Sequence, residues 1–378
     1  MWRFLHDAWW RLATQSHPRS FPDALACSVL QTGSVAYQAA VRLRNLAYDR
    51  GWARQVRLPC RVVSVGNLTV GGTGKTACVA LIAKKMTAMG RRVAVLSRGY
   101  GGVHRSYWLM SEDGRFTVNG GAANADGLAD EPQLLANQLE GLPIIVGPRR
   151  DRTGEQACRE FSADTVILDD GFQHRRLARD CDIVLVHARM PLGGWAVLPR
   201  GPMREPMGSL KRAHVLIVTK ADEALETVAA LRERLRSFNS EAALVTAVHE
   251  PSSLLDGATG ERQDPKRLQG LRVGLVSSIG DPAGFEATVR RLDAAIVWHL
   301  TFPDHHRYGE GDWAHIVETA QRSRPNAVLT TEKDWVRLQR TTHNAQRTTA
   351  PIWILGIVMK ILDGEEALDA RLAGLHAR

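Results

Sequence analysis

Five cysteines are scattered along the chain, at Cys27, Cys60, Cys78, Cys158 and Cys181, with no CxxC pair. They give no basis for a disulfide framework or a cysteine zinc site, and they fit a reducing compartment. Residues 1–61 contain no lysine and only three acids, Asp7, Asp23 and Asp49, against nine arginines, so +6 of the chain's net +9 lies in one sixth of its length. No apolar h-region follows the first arginines, which excludes a secretory signal. A long hydrophobic run is missing too. The 18 uncharged residues between Asp23 and Arg42 carry Gln31, Thr32, Gly33, Ser34 and Gln38 at their centre, which argues against a membrane span.

What remains is the composition of a folded protein: 378 residues, 44% apolar and 24% charged, enough for two or three domains. The basic N-terminal segment suits nucleic acid or an anionic membrane surface. Trp2, Leu5, Trp9 and Leu12 recur at helical spacing with Phe4 and Trp10 beside them, the pattern of an interfacial amphipathic helix. The uncharged stretch that follows reads as a helix that packs either on a membrane or on the protein's own core.

A chemistry first becomes visible at residues 61–89. RVVSVG (61–66) reads as a buried strand, 67–74 as a glycine-rich loop and 75–89 as a helix. The loop TVGGTGKT (69–76) matches the P-loop pattern GxxxxGK[ST] except that Thr69 replaces the first glycine. Gly71, Gly72 and Gly74, with Thr73, let successive amides converge on phosphate oxygens at a helix N-terminus. Lys75 then reaches the β and γ phosphates, and the Thr76 hydroxyl is placed to ligate Mg²⁺. Downstream, TVIL (165–168) reads as a strand that ends in Asp169-Asp170-Gly171. Either aspartate suits the metal, although Asp-Asp-Gly is also a plain turn sequence.

Further strands are expected at 93–96, 144–146, 183–186 and 215–219, with helices between several of them. This predicts an α/β fold, a P-loop NTPase-like, mostly parallel sheet sandwiched by helices. The segments 241–248 and 352–358 are expected to pair as a two-stranded link. Between them, strands at 272–276, 294–300 and 327–330 with helices near 282–292 and 312–322 form a second, smaller α/β domain. The expected organisation is therefore 1–60 as basic N-terminal helices, 61–240 as the P-loop domain and 241–378 as the smaller domain.

Taken together, VVSVGNLTVGGTGKT, SRGYGG, DEPQLLA, LDDGFQHRRLARD, LPRGPMREP, DHH and TTEKD resemble, in order, the tetraacyldisaccharide 4'-kinases of lipid A biosynthesis over about residues 61–338. The resemblance implies transfer of the ATP γ-phosphate, with Mg²⁺, to the 4'-hydroxyl of tetraacyldisaccharide 1-phosphate to give lipid IVA. It also implies a peripheral enzyme on the cytoplasmic face of the inner membrane, contacting an anionic surface, with no nucleic acid and no obligate protein partner.

By position, the resemblance makes Asp130 the catalytic carboxylate and His305 its partner, with Lys75 serving the phosphates. It makes Thr76, Asp169, Asp170 and Glu131 the metal group, and Arg98, Arg204 and Glu205 contacts to the sugar phosphate. Asp130 taken alone also reads as a helix N-cap. Ala77 and Ala129 depart from the family's usual proline and glycine, and neither change removes a functional group. A second reading starts from Thr219-Lys220-Ala221-Asp222, which is similar to the guanine-reading NKxD element and would make the chain a membrane-surface GTPase switch or metallochaperone.

Overall fold

The computed structural model describes residues 20–99, 102, 106–112, 115–122, 127–189, 196–342 and 350–375, together with Trp9 and Ala13. Most of the expected amphipathic segment around Trp2, Leu5 and Leu12 lies outside the described residues. The first described helix, α1 (Phe21–Asp49), has Ser20 as its N-cap and a proline in its first turn, the usual signals for a helix start.

Four strands form the centre of the molecule: β1 (Arg61–Asn67), β2 (Val93–Ser97), β7 (Thr165–Asp169) and β8 (Cys181–His187). β1 is buried along its whole length because a central parallel strand is covered on both faces. Alternation decides which helix each residue meets. Val63 and Val65 pack with Cys78, Val79 and Ile82 of α2 (Lys75–Ala88), whereas Val62 packs on the opposite face with Ala157 of α4 (Arg150–Glu160).

Beyond β2 the sheet continues through β6 (Ile144–Val146) into an antiparallel extension, β3 (Tyr107–Glu112), β4 (Arg115–Val118) and β5 (Gly121–Ala122). The helix α3 (Asp130–Gln138) lies between β5 and β6 in the chain. On the other side, β9 (Val215–Thr219) and, after α5 (Leu225–Phe238), β10 (Ala243–Asp256) continue the parallel run.

At β10 the direction reverses. β10 carries the short β11 (Arg262–Gln263) at one end and pairs antiparallel along its length with β15 (Ile352–Asp363). Next to β15 stand β14 (Ala327–Thr331), β12 (Arg272–Ser277) and β13 (Ala295–Thr301), all parallel to β15. The two strands that contain the expected link segments pair, but the segments themselves do not meet: 246–248 stand opposite 360–363 and 353–358 opposite 250–256, because both strands are longer than predicted. The link fuses the two halves into one fifteen-stranded sheet.

Helices cover both faces of the smaller half. Phe285 and Val289 of α6 (Pro282–Arg291) pack on one side, while Trp313 and Ile316 of α7 (Glu310–Ser323) and Leu338 of α8 (Glu332–Thr342) pack on the other. The last helix, α9 (Glu365–Ala373), returns to the P-loop half, where Leu368 and Leu372 join the core beneath α2.

Candidate functional site

Gly71 and Gly74 have φ of 104° and 84°, a left-handed region that glycine enters without steric cost. Gly74 is the N-cap of α2, and a Cβ there would stand 2.4 Å from the His249 Nε2, so no larger residue fits. This N-terminus has no side-chain cap and no acid in its first turn, which leaves its amides and positive dipole end for an anion. Two bonds hold the loop's shape: Asn67 donates to the Thr73 hydroxyl at 2.8 Å, and Thr219 donates to the Thr73 carbonyl at 3.0 Å.

A cluster of opposed charges faces the loop. Asp170 receives Arg204 in a bidentate pair at 2.7 and 2.8 Å and lies 3.8 Å from Lys75 Nζ. Burial works against its charge, but the bonds from Arg204 and the nearby Lys75 hold its carboxyl down at about 2. Its neighbour Asp169 shows the opposite shift. Burial, then the negative charges of Glu131 and Asp170, push it up to about 7, despite Lys75 and Arg150. One carboxylate is already satisfied by arginine, and the other lacks enough positive charge. A divalent cation would correct that imbalance.

The donors available to such a cation are all hard oxygens, from Thr76, Asp169, Asp170 and Glu131. They suit Mg²⁺, which is commonly held by one or two carboxylates together with phosphate oxygens.

The smaller half supplies the facing wall. Asp304 and His305 follow β13, and Lys333 of α8 reaches both, with its Nζ 3.2 Å from Asp304 Oδ1 and 3.3 Å from His305 Nε2. Burial and the charge of Lys333 lower the affinity of His305 for a proton. Asp170, Lys220 and His305, three of the seven described non-glycine residues with positive φ, all line this cleft. Each such conformation costs about 1–3 kcal/mol, and strain of this kind concentrates at functional sites.

The cleft has a volume of about 730 Å³. Of the candidate residues, 71–76, Arg98, Glu131, Asp169, Asp170, Arg204 and His305 all line it. Two candidate residues do not. Asp130 starts α3, half-buried, and pairs with Arg337 at 3.3 Å. Glu205, expected at the sugar phosphate, is wholly buried instead; it binds Asn45 at 2.8 Å, Arg212 at 3.1 Å and Arg44 at 3.2 Å. Its carboxylate anchors α1 to the P-loop half. Breaking a buried charge pair costs about 3–5 kcal/mol. Glu205→Gln should therefore lower the denaturant midpoint at constant slope, by an amount equivalent to at least about 2 kcal/mol. An unchanged midpoint would remove the anchoring role.

Several lining residues escape sequence reasoning. Arg150 donates to the Asp169 carbonyl at 3.0 Å from within α4, where nothing in the sequence distinguishes it from a surface arginine. His249 is held neutral by burial, with its affinity lowered to about 4, and sits mid-strand without a motif. The Thr219-Lys220-Ala221-Asp222 element does reach the cleft, but Lys220 binds Asp281 and Asp222 binds Arg291 of α6. Asp222 is thus taken by an arginine where a guanine reader needs it open, and the GTPase alternative is not supported. His187, Glu223 and Asp281 come close enough to suggest a metal. The His187 Nδ1, however, accepts the Arg189 amide at 3.0 Å, which leaves the proton on Nε2, and both carboxylates are already ion-paired, Asp281 with Lys220 and Glu223 with Lys220 and Arg189.

Comparison with known proteins bears on this arrangement. The family model for tetraacyldisaccharide-1-P 4'-kinase matches residues 26–376. A tetraacyldisaccharide 4'-kinase of Anaeromyxobacter sp. (strain K) is 39% identical over 97% of this chain and 94% of its own length. One from Syntrophus aciditrophicus is 40% identical over 88% of this chain and 89% of its own. Among solved structures, LpxK from Aquifex aeolicus, in complex with ATP, superposes with a TM-score of 0.72 at 29% identity, covering 92% of this chain and 98% of that one. With the family match spanning nearly the whole chain and the P-loop cleft intact, this protein belongs to the tetraacyldisaccharide-1-P 4'-kinase family.

Proposed function

We infer that this chain transfers the γ-phosphoryl group of ATP to the 4'-hydroxyl of tetraacyldisaccharide 1-phosphate, a step of lipid A biosynthesis. Beyond family membership, one observation carries the reading: the P-loop, the carboxylate cluster and the 304–305 loop bound a single cleft of about 730 Å³. Ligand pockets usually span about 300–1,000 Å³.

In this reading the amides of residues 71–74 and Lys75 hold the β and γ phosphates, with Arg98 and Arg204 flanking them. Thr76, Asp169, Asp170 and Glu131 are the residues that would hold Mg²⁺, which when bound would supply neutralisation of phosphate charge. Asp130, which does not itself line the cleft but directly precedes Glu131, which does, takes the proton of the 4'-hydroxyl as its oxygen bonds to phosphorus. The bond from phosphorus to the β–γ bridging oxygen breaks, and ADP leaves. His305, beside Lys333, orients this base. Because a sugar hydroxyl holds its proton tightly, a positioned base contributes about 10²- to 10⁴-fold. Incubation with labelled ATP and tetraacyldisaccharide 1-phosphate in detergent micelles should yield labelled lipid. Folded protein that releases only inorganic phosphate would count against the reading.

The surface of α1 supports peripheral attachment to an anionic membrane, in keeping with a site at the cytoplasmic face of the inner membrane. No described helix is long and apolar enough to cross a bilayer. One side of α1 docks on the protein through Ser34, Val41 and Asn45, which are buried. Trp9 also turns inward, donating to the Pro199 carbonyl at 2.7 Å. The opposite side exposes Leu25, Val29 and Leu43 by 61–66%. At 100° per residue these three fall within about 40° of one another. Burying one such side chain is worth about 1.5 kcal/mol or more. Val29→Asp and Leu43→Asp should each weaken sedimentation with anionic vesicles about tenfold, and unchanged sedimentation would rule out this face.

A further inference from the structure

We propose that Arg337 is a positioning residue that holds Asp130 and the His305 loop in register, an inference that rests on reading Asp130 as the base. Arg337 lies on α8, one turn beyond Lys333, with its side chain only 3% exposed. Its guanidinium meets groups from both halves of the sheet. Nη1 donates to the Ser278 hydroxyl at 2.8 Å and to the His306 carbonyl at 3.1 Å. Nε lies 3.3 Å from Asp130 Oδ2, at the start of α3 in the P-loop half.

The position of this group is overdetermined from the smaller half. Nη2 lies 3.3 Å from Asp334 Oδ1. Asp334 is wholly buried and itself accepts the Ser278 amide at 3.1 Å, the Ser278 hydroxyl at 2.6 Å, the Tyr308 hydroxyl at 3.2 Å and the Thr331 hydroxyl at 2.7 Å. Asp334 is therefore well satisfied without Arg337, and neutralising it would not require the guanidinium to reach across to Asp130. A guanidinium is a planar fork with fixed spacing. One rigid group thus sets the distance from the Asp130 carboxylate to the carbonyl of His306, one residue from His305. Lys333, on the same helix, contacts His305 directly. Helix α8 consequently touches both members of the pair.

A double-mutant cycle tests this. Arg337→Met should lower kcat about 100-fold, the scale of a misplaced catalytic group, with the KM for ATP and the thermal stabilisation by ATP unchanged. In an Asp130→Asn background the same change should cost less than about threefold, because the group it positions is gone. Equal losses in both backgrounds, or wild-type kcat in Arg337→Met, would overturn the proposal. If Arg337→Met does not fold, Arg337→Lys serves in the same cycle, with about a tenfold loss expected in the wild type and under threefold in Asp130→Asn; equal losses again overturn it. Wild-type turnover in Asp130→Asn alone would dismiss the base, and this inference with it, an outcome distinct from independent losses.

Discussion

Asp130→Asn should lower phosphate transfer by about 10²- to 10⁴-fold, the usual contribution of a positioned general base. The substitution keeps the size of the side chain and its place at the start of α3, outside the group of residues that lines the cleft. What it removes is the capacity to accept a proton and the charge that pairs with Arg337. Nucleotide binding should therefore survive. ATP with Mg²⁺ at 100 times the wild-type dissociation constant should stabilise the variant and the wild type alike, by about 2.7 kcal/mol. A variant that transfers phosphate at the wild-type rate would move the base elsewhere. One that loses ATP binding would show that Asp130 serves the fold.

Lys75→Met should act differently, because in the proposed reading the lysine holds the phosphates of the nucleotide. Losing one preorganised donor to developing charge costs about 10²- to 10³-fold, and Lys75 should also contribute to ATP affinity, so kcat and stabilisation by ATP fall together. Its charge has a second effect. Lys75 is among the groups that keep the buried Asp169 from rising further and that hold Asp170 ionised. Removing it leaves the carboxylate cluster more self-repulsive, which raises the demand for a divalent cation. Wild-type transfer at saturating ATP would contradict the assignment, as would unchanged nucleotide affinity. The contrast between the two variants, one silent in binding and one not, distinguishes a proton acceptor from a phosphate ligand.

The parts of this arrangement that were legible in the sequence are those set by local chemistry. A P-loop needs glycines, a lysine and a hydroxyl in consecutive positions, so residues 71–76 could be read directly and line the cleft as expected. The strands β1, β7, β8 and β9 are short apolar runs buried on both faces, which also made them visible. The hairpin extension β3 to β5 was not expected. Its strands are short, and those of β4 are at most half-buried, so their pattern is weak. The length of β10 and β15 was missed because each runs through Pro251 or a mixed polar stretch that looks like a strand end, and bulges absorb the irregularity. Glu205 shows the limit of adjacency: it follows Arg204 in the chain, yet the two side chains face opposite environments, one the cleft and one the underside of α1. Arg150, His249 and Arg337 join the site or its support through tertiary packing alone, which no spacing in the sequence announces.

The route of α9 affects how the molecule is made. Leu368, Leu372 and Leu375 share a core with Cys78, Val79 and Ile82, and Arg61 at the head of β1 donates to the Leu375 carbonyl at 2.8 Å. Domains commonly fold from the amino end while synthesis proceeds. Here the P-loop half cannot close its own interior until residues 365–375 have been made and have docked. Until then it presents an uncovered apolar floor, and removing those residues would deprive the earlier-made part of the chain of its lid.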